Sequence, residues 1–322
     1  MIILNVKGMI KNQHNIFNLL KQSKMNDRLS HAYLFYGDEG VGKKEMAYAL
    51  ACMFYCEHGG CLECETCQTI LSGQHLNVDY ISTLESKRVI SKEQIVDLQE
   101  EFSKTSLVDG NRIYIVDGID KASVSAQNSL LKFIEEPINN TPTIGIFIAN
   151  DLANVVSTIV SRCGLIHFPS IETKFLINML IEDGVDKADA ELISLITNNV
   201  DAAKELIFSE DYVVSKDLFF KFLDIKNPKQ SILFYVENVE KLNENKMDYF
   251  LKWMIGLYQD AFKMEDKDDL ILSCLYDKIV LYTKTGQTEL KNKYSFVLDL
   301  YSRLHYNVSV KNVFHELITN LF

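Results

Sequence analysis

Residues 31 to 43 read His-Ala-Tyr-Leu-Phe-Tyr-Gly-Asp-Glu-Gly-Val-Gly-Lys, and a second lysine, Lys44, follows. The apolar run from Ala32 to Tyr36 predicts a buried strand, and the pattern from Lys43 to Tyr55 predicts a helix. A strand, a Gly-rich turn and a helix in this order form an anion cradle from backbone N–H groups and the helix N-terminus. The stretch therefore predicts a nucleotide-binding α/β domain.

The Gly-rich turn fits a phosphate loop at all but one position. Its candidate phosphate-binding residues are Gly37, Gly40, Gly42 and Lys43, and the spacing matches G-x-x-x-x-G-K-[ST] as far as the lysine. Lys44 replaces the Ser or Thr whose oxygen would hold Mg²⁺. An ammonium group cannot take over that role, because it has no acceptor oxygen and carries the metal's own sign of charge. The loop thus predicts a scaffold that has lost catalysis, and binding of ATP or ADP by this chain is left open.

A second apolar segment, residues 112–116, ends in the candidate metal-binding acid Asp117. In nucleoside triphosphatases, an Asp at the end of such a strand helps to hold Mg²⁺. Many of these enzymes place a Glu next, which polarises the attacking water, but here the next residue is Gly118. Asp120 could replace that Glu, or it could be a helix cap or a surface group. The lost metal ligand at Lys44 and the lost base at Gly118 both indicate a site without turnover.

Four of the seven cysteines lie within twelve residues, in the pattern C-x₄-C-x₂-C-x₂-C. These candidate metal ligands are Cys56, Cys61, Cys64 and Cys67. Four thiolates complete a tetrahedral Zn²⁺ site and leave no position for water, so the pattern predicts a structural zinc. Free thiols or an iron–sulfur cluster are the alternatives, and His58 and His75 are alternative ligands. We interpret Cys52, Cys163 and Cys274 as buried apolar residues.

The composition is that of an ordinary globular protein. The chain has 322 residues, of which 47% are hydrophobic and 24% charged, which predicts an ample core and two or three domains. Its formal net charge of −11 argues against tight nucleic-acid binding by this chain alone, because phosphate neutralisation is the main source of non-specific affinity. No apolar stretch approaches about 20 residues and the N-terminus lacks signal-peptide organisation, so we expect a cytoplasmic protein without a membrane partner.

Strand and helix signals alternate up to residue 168, which indicates an α/β domain with a mostly parallel sheet. Further strands are predicted at residues 78–81, 112–116, 143–149 and 164–168. Further helices are predicted from residue 16 onward, at 91–104, where Ser91 and Gln94 have capping-box spacing, and at 125–136. The remainder is helical in pattern, with a small bundle at 174–208 and helices at 211–223, 229–241, 246–262, 268–284, 287–304 and 310–321.

Several specific strings occur in a fixed order along the chain. They are His31-Ala32-Tyr33-Leu34-Phe35, the loop to Lys43, the four cysteines, Asn128-Ser-Leu-Leu-Lys-Phe-Ile-Glu-Glu-Pro137 and Ser161-Arg162-Cys163. In this combination they resemble the delta-prime subunits of bacterial DNA polymerase III, a family in the clamp-loader branch of the AAA+ ATPases. The resemblance is specific from about Gly8 to Phe168 and weaker beyond, where Trp253, Asp260 and residues 307–321 look like the family's helical collar.

The resemblance implies a particular domain organisation. Residues 1–169 would form a RecA-like α/β AAA+ domain, with an inserted zinc-binding module at about 52–70. A small helical lid would follow at 170–209, and an all-α collar or oligomerisation domain at 210–322.

The resemblance also implies a function. The family helps to load the ring-shaped sliding clamp onto primed DNA, using ATP bound between neighbouring subunits. Its delta-prime members are comparatively rigid, have little or no ATPase activity, and insert the arginine of the Ser-Arg-Cys string into the neighbour's nucleotide site. Here that arginine finger, catalytic in trans, is Arg162. The implied partners are motor subunits of the DnaX type and the delta subunit, contacted through the collar, with the clamp and primer–template DNA in the same complex. The chain would then belong to a DNA-directed DNA polymerase holoenzyme.

Active relatives carry an arginine in the lid, in a Gly-Ser-x-Arg-like segment. The comparable residues here, 197–204, contain none and end in Lys204, which could compensate in part. Two other functions stay open. A catalytically active AAA+ motor subunit would have to tolerate Lys44 and Gly118, and nucleotide binding by the purified chain would distinguish it. A zinc-dependent nucleic-acid-binding adaptor would bind DNA in isolation at physiological salt, although the acidic net charge weighs against it.

Overall fold

The computed structural model describes residues 6–83, 89–103, 111–135, 143–264, 269–306 and 308–321. The chain divides into two compact units, Met1–Ser170 and Ile171–Phe322. The end of the 128–137 string, Glu136 and Pro137, lies outside the described residues, as do the first five residues of the chain. The division into three domains, with a boundary near residue 209, stays a prediction.

The first unit is an α/β fold. Its strands are β1 (Ala32–Tyr36), β2 (Val78–Ser82), β3 (Arg112–Asp117), β4 (Thr143–Ala149) and β5 (Gly164–His167). Its α-helices are α1 (Val6–Asn12), α2 (His14–Met25), α3 (Lys43–Tyr55), α4 (Glu65–Leu71), α5 (Lys92–Ser103), α6 (Val124–Glu135) and α7 (Ser157–Val160). All five predicted strands are confirmed to within one residue at each end. Helices α1 and α4 were not predicted.

The five strands form one parallel sheet in the order β2-β3-β4-β1-β5. Strand β1 lies between β4 and β5, and its first four residues are buried. In a parallel sheet, the segments that follow the carboxyl ends of neighbouring strands meet at one edge, which is where ligands bind. The loop after β1, Asp117 at the end of β3 and Asn150 after β4 therefore come together. This arrangement confirms the predicted RecA-like α/β fold.

The capping box predicted at the start of α5 is present. The Ser91 N–H donates to Gln94 Oε1 at 2.9 Å, and the Gln94 N–H donates to Ser91 Oγ at 3.3 Å. Two N–H groups that would otherwise lack a partner in the first turn are thereby satisfied. The local spacing was thus sufficient to place this helix start.

Gly145 on β4 makes room for a buried ring on the neighbouring strand. It pairs in register with Tyr114 on β3, which is 1% exposed. A Cβ atom on Gly145 would lie 2.4 Å from Tyr114 Oη and 2.5 Å from Cζ. The ring cannot move aside freely, because Phe102 and Phe147 pack edge-on against it with centroid distances of 5.6 and 5.7 Å. We therefore expect Gly145→Ala to lower the free energy of unfolding by about 2–3 kcal/mol, as overpacking does elsewhere.

Chemical denaturation of the full chain would measure this loss. Gly164→Ala on β5 is a matched control, because a Cβ there would approach no closer than 3.3 Å, to Tyr33 Cδ1. Adding Tyr114→Leu to Gly145→Ala should recover part of the loss, since the two residues are in contact. Equal losses for the two glycine variants would contradict the steric explanation.

The second unit is helical. Its α-helices are α8 (Thr173–Glu182), α9 (Lys187–Ser194), α10 (Val200–Leu206), α11 (Glu210–Leu223), α12 (Pro228–Asn238), α13 (Glu244–Lys263), α14 (Tyr276–Thr283), α15 (Gln287–His305) and α16 (Val310–Leu321). Asn227 caps α12 by accepting the Gln230 N–H at 3.1 Å, with Pro228 in the first turn. No helix among the described residues is long and apolar enough to span a bilayer.

One predicted helix, at residues 268–284, is wrong in its first part, since α14 begins only at Tyr276. The cause is Asp260 on α13, which is 1% exposed. Its carboxylate accepts the N–H groups of Ile271 at 3.2 Å and Leu272 at 2.7 Å. Burial raises the pKa of Asp260, against the opposing effect of these two N–H donors. The bonds hold residues 271–272 outside any helix, and a short 3₁₀ turn, Ser273–Leu275, leads into α14.

Three hydrogen bonds tie α9 to later parts of the second unit. Glu191, 2% exposed, accepts Ser273 Oγ at 2.5 Å and the Cys274 N–H at 2.8 Å. Trp253 on α13 donates its indole N–H to the Leu192 carbonyl at 2.8 Å. Residues from the predicted lid and the predicted collar are therefore hydrogen-bonded to each other in the interior of one unit.

Candidate functional site

The Gly-rich loop turns between β1 and α3 as predicted. Gly40 and Gly42 have φ angles of 78° and 94°, in the left-handed region that a residue with a Cβ rarely adopts. Gly42 is the N-cap of α3, so its backbone begins the helix directly before Lys43. Val41 is fully buried within the loop. The candidate phosphate-binding residues are thus adjacent in space and in sequence.

Lys43 points into the loop. Its Nζ donates to the Gly37 carbonyl at 2.6 Å, to the Asp38 carbonyl, and to Asn150 Oδ1 at 2.9 Å. Lys43 is 5% exposed. Burial lowers the pKa of Lys43, although nearby carboxylates, first among them Asp117, act in the opposite direction.

A different set of side chains stands at the position expected for the metal. The Lys44 ammonium lies 4.4 Å from the centre of the Tyr80 ring, and Tyr80 donates its hydroxyl to Asp117 Oδ2 at 2.7 Å. Burial, and after it the Asp117 carboxylate, raise the pKa of Tyr80, so the phenol stays a neutral donor. One oxygen of Asp117, the candidate metal ligand, therefore already accepts a hydrogen bond from a protein hydroxyl. Next to it, Lys44 occupies the position at which a Ser or Thr would hold the metal.

At residue 118, where many nucleoside triphosphatases have a Glu as the base, there is little room for a side chain. Gly118 has a φ of 89°, and a Cβ there would lie 3.3 Å from Thr83 Cγ2. Asp120, the possible substitute, accepts the N–H groups of Asn150 and Asp151 through Oδ2, both at 3.1 Å. Asp120 thus anchors the backbone after β4 through one of its two carboxylate oxygens.

The sequence interpretation missed three residues of this site: Tyr80, Asn150 and Gln13, whose Nε2 donates to the Val41 carbonyl of the loop at 3.2 Å. Asn150 directly follows a predicted strand. Because ligands bind at the carboxyl ends of parallel strands, its position in the sequence could have indicated it. Tyr80 and Gln13 give no such signal, because one lies within a strand and the other between two helices.

The four candidate cysteines converge. All four Sγ atoms lie within 4.8 Å of one another. Cys56 Sγ is 3.6 Å from Cys61 Sγ and 3.7 Å from Cys64 Sγ. Zn–S bonds of about 2.3 Å in a tetrahedron would put neighbouring sulfurs roughly 3.8 Å apart. The donor set and its spacing therefore fit a tetrahedral metal ion.

Hydrogen bonds favour thiolates in part of the cluster. Burial opposes ionisation of Cys56, but backbone N–H groups outweigh it and lower the pKa of its thiol to about 6. One of these donors is the Cys61 N–H, 3.4 Å from Cys56 Sγ. Backbone donors likewise lower the pKa of Cys61, whereas burial raises that of Cys67. A cation at the centre would supply the charge that Cys67 needs to ionise.

The remaining cysteines and histidines lie outside this group. His75 packs against the Tyr55 ring with a centroid distance of 4.3 Å. Cys52 is fully buried, as predicted. The interpretation of Cys274 was wrong, because it is exposed, and Cys163 is only half-buried. The backbone N–H of Cys274 donates to the buried Glu191 carboxylate at 2.8 Å.

Arg162 is exposed and lies between α7 and β5. Its Nη1 donates to the Thr158 carbonyl at 3.1 Å, one turn earlier in the chain. In the second unit, Lys204 pairs with Asp183 at 2.6 Å.

The parallel order β2-β3-β4-β1-β5, the Gly-rich loop after β1 and the helical second unit define the AAA+ fold class. A sequence model of the family described as "DNA polymerase III, delta subunit" matches residues 12–172, about half of the chain. The chain is 32% identical to the DNA polymerase III subunit delta' of Bacillus subtilis (strain 168) over 98% of both chains. It therefore belongs to the family of DNA polymerase III delta' subunits.

Other similarities are more distant or cover less of the chain. The delta' subunit of Pseudomonas aeruginosa is 31% identical over 42% of each chain. The tau subunit of Bacillus subtilis is 29% identical over 52% of this chain and 30% of its own length. A gamma subunit-related protein of Thermotoga maritima, whose crystal structure is known, superposes with a TM-score of 0.43 at 12% identity, over 96% of this chain and 97% of the other.

Proposed function

We propose that this chain is a non-catalytic subunit of the DNA polymerase III clamp loader and helps to load the sliding clamp on primed DNA. The observation that carries the proposal is its identity of 32% with a delta' subunit along the whole length of both chains. Its partners would be the motor subunits and the delta subunit. In the proposed division, residues 1–169 form the AAA+ domain, 170–209 a lid, and 210–322 the collar that contacts those partners.

Reconstitution tests this function. The chain would be mixed with the tau and delta subunits of its own organism, and the complex isolated by size exclusion. We expect one complex that loads clamps on primed DNA, and we expect the loading rate to fall to background when this chain is left out. If the chain stays outside the complex, or if loading proceeds equally well without it, the proposed function is wrong.

We expect the isolated chain not to hydrolyse ATP. Its site has no hydroxyl at Lys44 and no acid at Gly118, and one oxygen of Asp117 already accepts the Tyr80 hydroxyl. Lys44→Thr alone should not restore turnover, because Tyr80 still engages the remaining metal ligand. The measurement is steady-state phosphate release by protein free of partner subunits. Turnover that disappears in Lys43→Ala would contradict this expectation.

Arg162 is the residue we propose to act on a neighbouring subunit. It is exposed at the turn between α7 and β5, so its guanidinium can reach a partner without unfolding the sheet. A guanidinium placed near a γ-phosphate neutralises the charge that develops there during transfer. The phosphate chemistry would then take place at the neighbour's nucleotide, with Arg162 supplied in trans.

The cysteine cluster is the site we propose for one structural Zn²⁺. The metal would join the end of α3, through Cys56, to the start of α4, through Cys64 and Cys67, with Cys61 as the fourth ligand. Zinc supplies no reaction chemistry in this role; it cross-links a segment too short to form its own core.

A further inference from the structure

A cavity of about 350 Å³ lies between β2 and the end of α4. Its lining consists of Tyr48 on α3, residues 71–73 at the end of α4, and Val78, Asp79 and Tyr80 on β2. Successive side chains of a strand point to opposite faces of its sheet. A cavity that three successive residues of β2 line therefore lies at the outer edge of this strand. Its volume is within the range of ligand clefts.

Strand β2 ends the sheet, since among the described strands it pairs only with β3. The Ile113 N–H of β3 donates to the Asn77 carbonyl at 2.8 Å, just before β2 begins. Backbone groups of a strand point alternately to its two sides. The N–H and C=O groups of Val78, Tyr80 and Ser82 therefore point away from β3, toward the outer edge.

The protein's own chain closes both ends of this edge. The Val78 N–H donates to the His75 carbonyl at 3.1 Å, and the Ser82 carbonyl accepts Gln94 Nε2 at 3.0 Å. The backbone groups of Tyr80 lie between these two contacts and belong to a residue that lines the cavity. An extended segment from another protein could pair with them, as added strands do at sheet edges.

Asp79 gives the cavity an acidic wall. Its Oδ2 is buried and accepts no hydrogen bond from the described residues, and Arg112 Nη2 lies 4.0 Å away. The side chain as a whole is 32% exposed, which leaves Oδ1 as the oxygen that a ligand in the cavity can reach. Burial raises the pKa of Asp79, with Arg112 acting in the opposite direction. A second cation at Oδ1 would therefore stabilise the ionised carboxylate.

Two aromatic rings complete the lining. The centroids of Tyr48 and Tyr80 are 5.9 Å apart. None of the described residues that line the cavity is basic, and Lys44, whose ammonium lies 4.4 Å from the centre of the Tyr80 ring, is not among them. A guanidinium group stacks on aromatic rings and pairs with a carboxylate through its planar fork. The cavity thus combines the two kinds of contact that an arginine side chain makes best.

We propose that the edge of β2 and this cavity bind an extended, arginine-containing segment of a partner protein. The segment pairs with the backbone of Tyr80 as an added strand, and its guanidinium enters the cavity toward Asp79 Oδ1. The formal net charge of −11 favours association with a basic segment. This surface is separate from the proposed clamp-loader function, and its tests use the full chain without other subunits.

The first test compares two peptides that differ in one group. A dye-labelled peptide, Thr-Val-Arg-Val-Thr with blocked ends, would be titrated with the full chain and followed by fluorescence anisotropy. The matched peptide carries citrulline in place of arginine, which keeps the shape of the side chain and removes its charge. We expect saturable binding of the arginine peptide, and binding at least about tenfold weaker for the citrulline peptide. Equal affinities, or no binding of either peptide, would overturn the proposal.

The second test changes the cavity. Asp79→Asn removes the charge and should weaken binding of the arginine peptide at least about tenfold, whereas Asp97→Asn on the exposed face of α5 should leave it unchanged. Ser72→Lys covers the case in which Asp79→Asn fails to fold. Ser72 is exposed and lines the cavity, so its replacement would place a competing ammonium there without disturbing the core. Affinity like the parent's in the folded variants would exclude the cavity as the binding site.

The third test asks whether the peptide adds a strand. Amide hydrogen exchange of the full chain would be measured with and without a saturating concentration of the arginine peptide. The Tyr80 N–H should exchange severalfold more slowly in the complex, because it gains a carbonyl acceptor, while α16 in the second unit serves as the unchanged reference. If the peptide binds and exchange in residues 78–82 stays as in the free protein, the segment does not pair with β2 and the proposal is wrong.

Discussion

Replacing Arg162 with alanine is expected to leave the clamp-loader complex assembled and to slow ATP hydrolysis at the one nucleotide site that this arginine reaches. A guanidinium supplied in trans is worth roughly 10³–10⁵ in rate in other phosphoryl-transfer systems. Total hydrolysis should fall less, because only one of several sites depends on this chain. The measurements are DNA-stimulated ATP hydrolysis and the rate of clamp loading by the reconstituted complex. Little effect on folding is expected, because the side chain is exposed.

Two variants make this experiment specific. Arg162→Lys should rescue poorly, because a compact ammonium cannot reproduce the planar fork of the guanidinium. Arg28→Ala removes another exposed arginine of the first unit, between α2 and β1, and should leave both rates unchanged. If Arg162→Ala assembles normally and loads clamps at the parent rate, the arginine has no role in trans.

Loss of one cysteine ligand is expected to have the largest effect on local stability. Structural zinc can contribute on the order of 10 kcal/mol to the folding of the segment that binds it. We therefore expect Cys64→Ala to abolish zinc binding and to expose residues 56–71 to rapid hydrogen exchange, while the helices of the second unit keep the parent's protection. Metal analysis of reduced protein should give one zinc per chain for the parent and none for the variant.

Cys163→Ala is the control for this experiment, because Cys163 is half-buried and lies outside the four-cysteine cluster. It should retain one zinc and the parent's exchange pattern. Parent protein prepared under reducing conditions without zinc would refute the metal site. Iron in place of zinc would instead indicate an iron–sulfur cluster.

Elements that bury both faces were predictable from the sequence. Strands β1, β3 and β4 are central in the sheet, so their residues form apolar runs that stand out without any tertiary information. The cysteine cluster was also predictable, since its ligands are close in sequence. The helix starts at Ser91 and Asn227 could be recognised because a cap is a local hydrogen bond.

Contacts between distant parts of the chain were not predictable in this way. Lys43 and Asn150 are 107 residues apart in sequence, and only the parallel order of the strands brings them together. The helix predicted from residue 268 failed for a related reason. The buried carboxylate of Asp260 on α13 accepts the backbone N–H groups of Ile271 and Leu272, which keeps these residues out of a helix. The apolar periodicity of residues 268–275 gives no indication of this contact.

The buried contacts of α9 determine where the chain can be divided for expression. A fragment that ended at residue 209 would leave the Glu191 carboxylate without Ser273 and the Cys274 N–H. A fragment that began at residue 210 would leave the indole N–H of Trp253 without the Leu192 carbonyl. Polar groups that lose their partners in the interior cost about 1–3 kcal/mol each, so both pieces would be prone to misfold and aggregate. A soluble helical fragment should therefore begin near Ile171, where the second unit starts, and include α8 to α10.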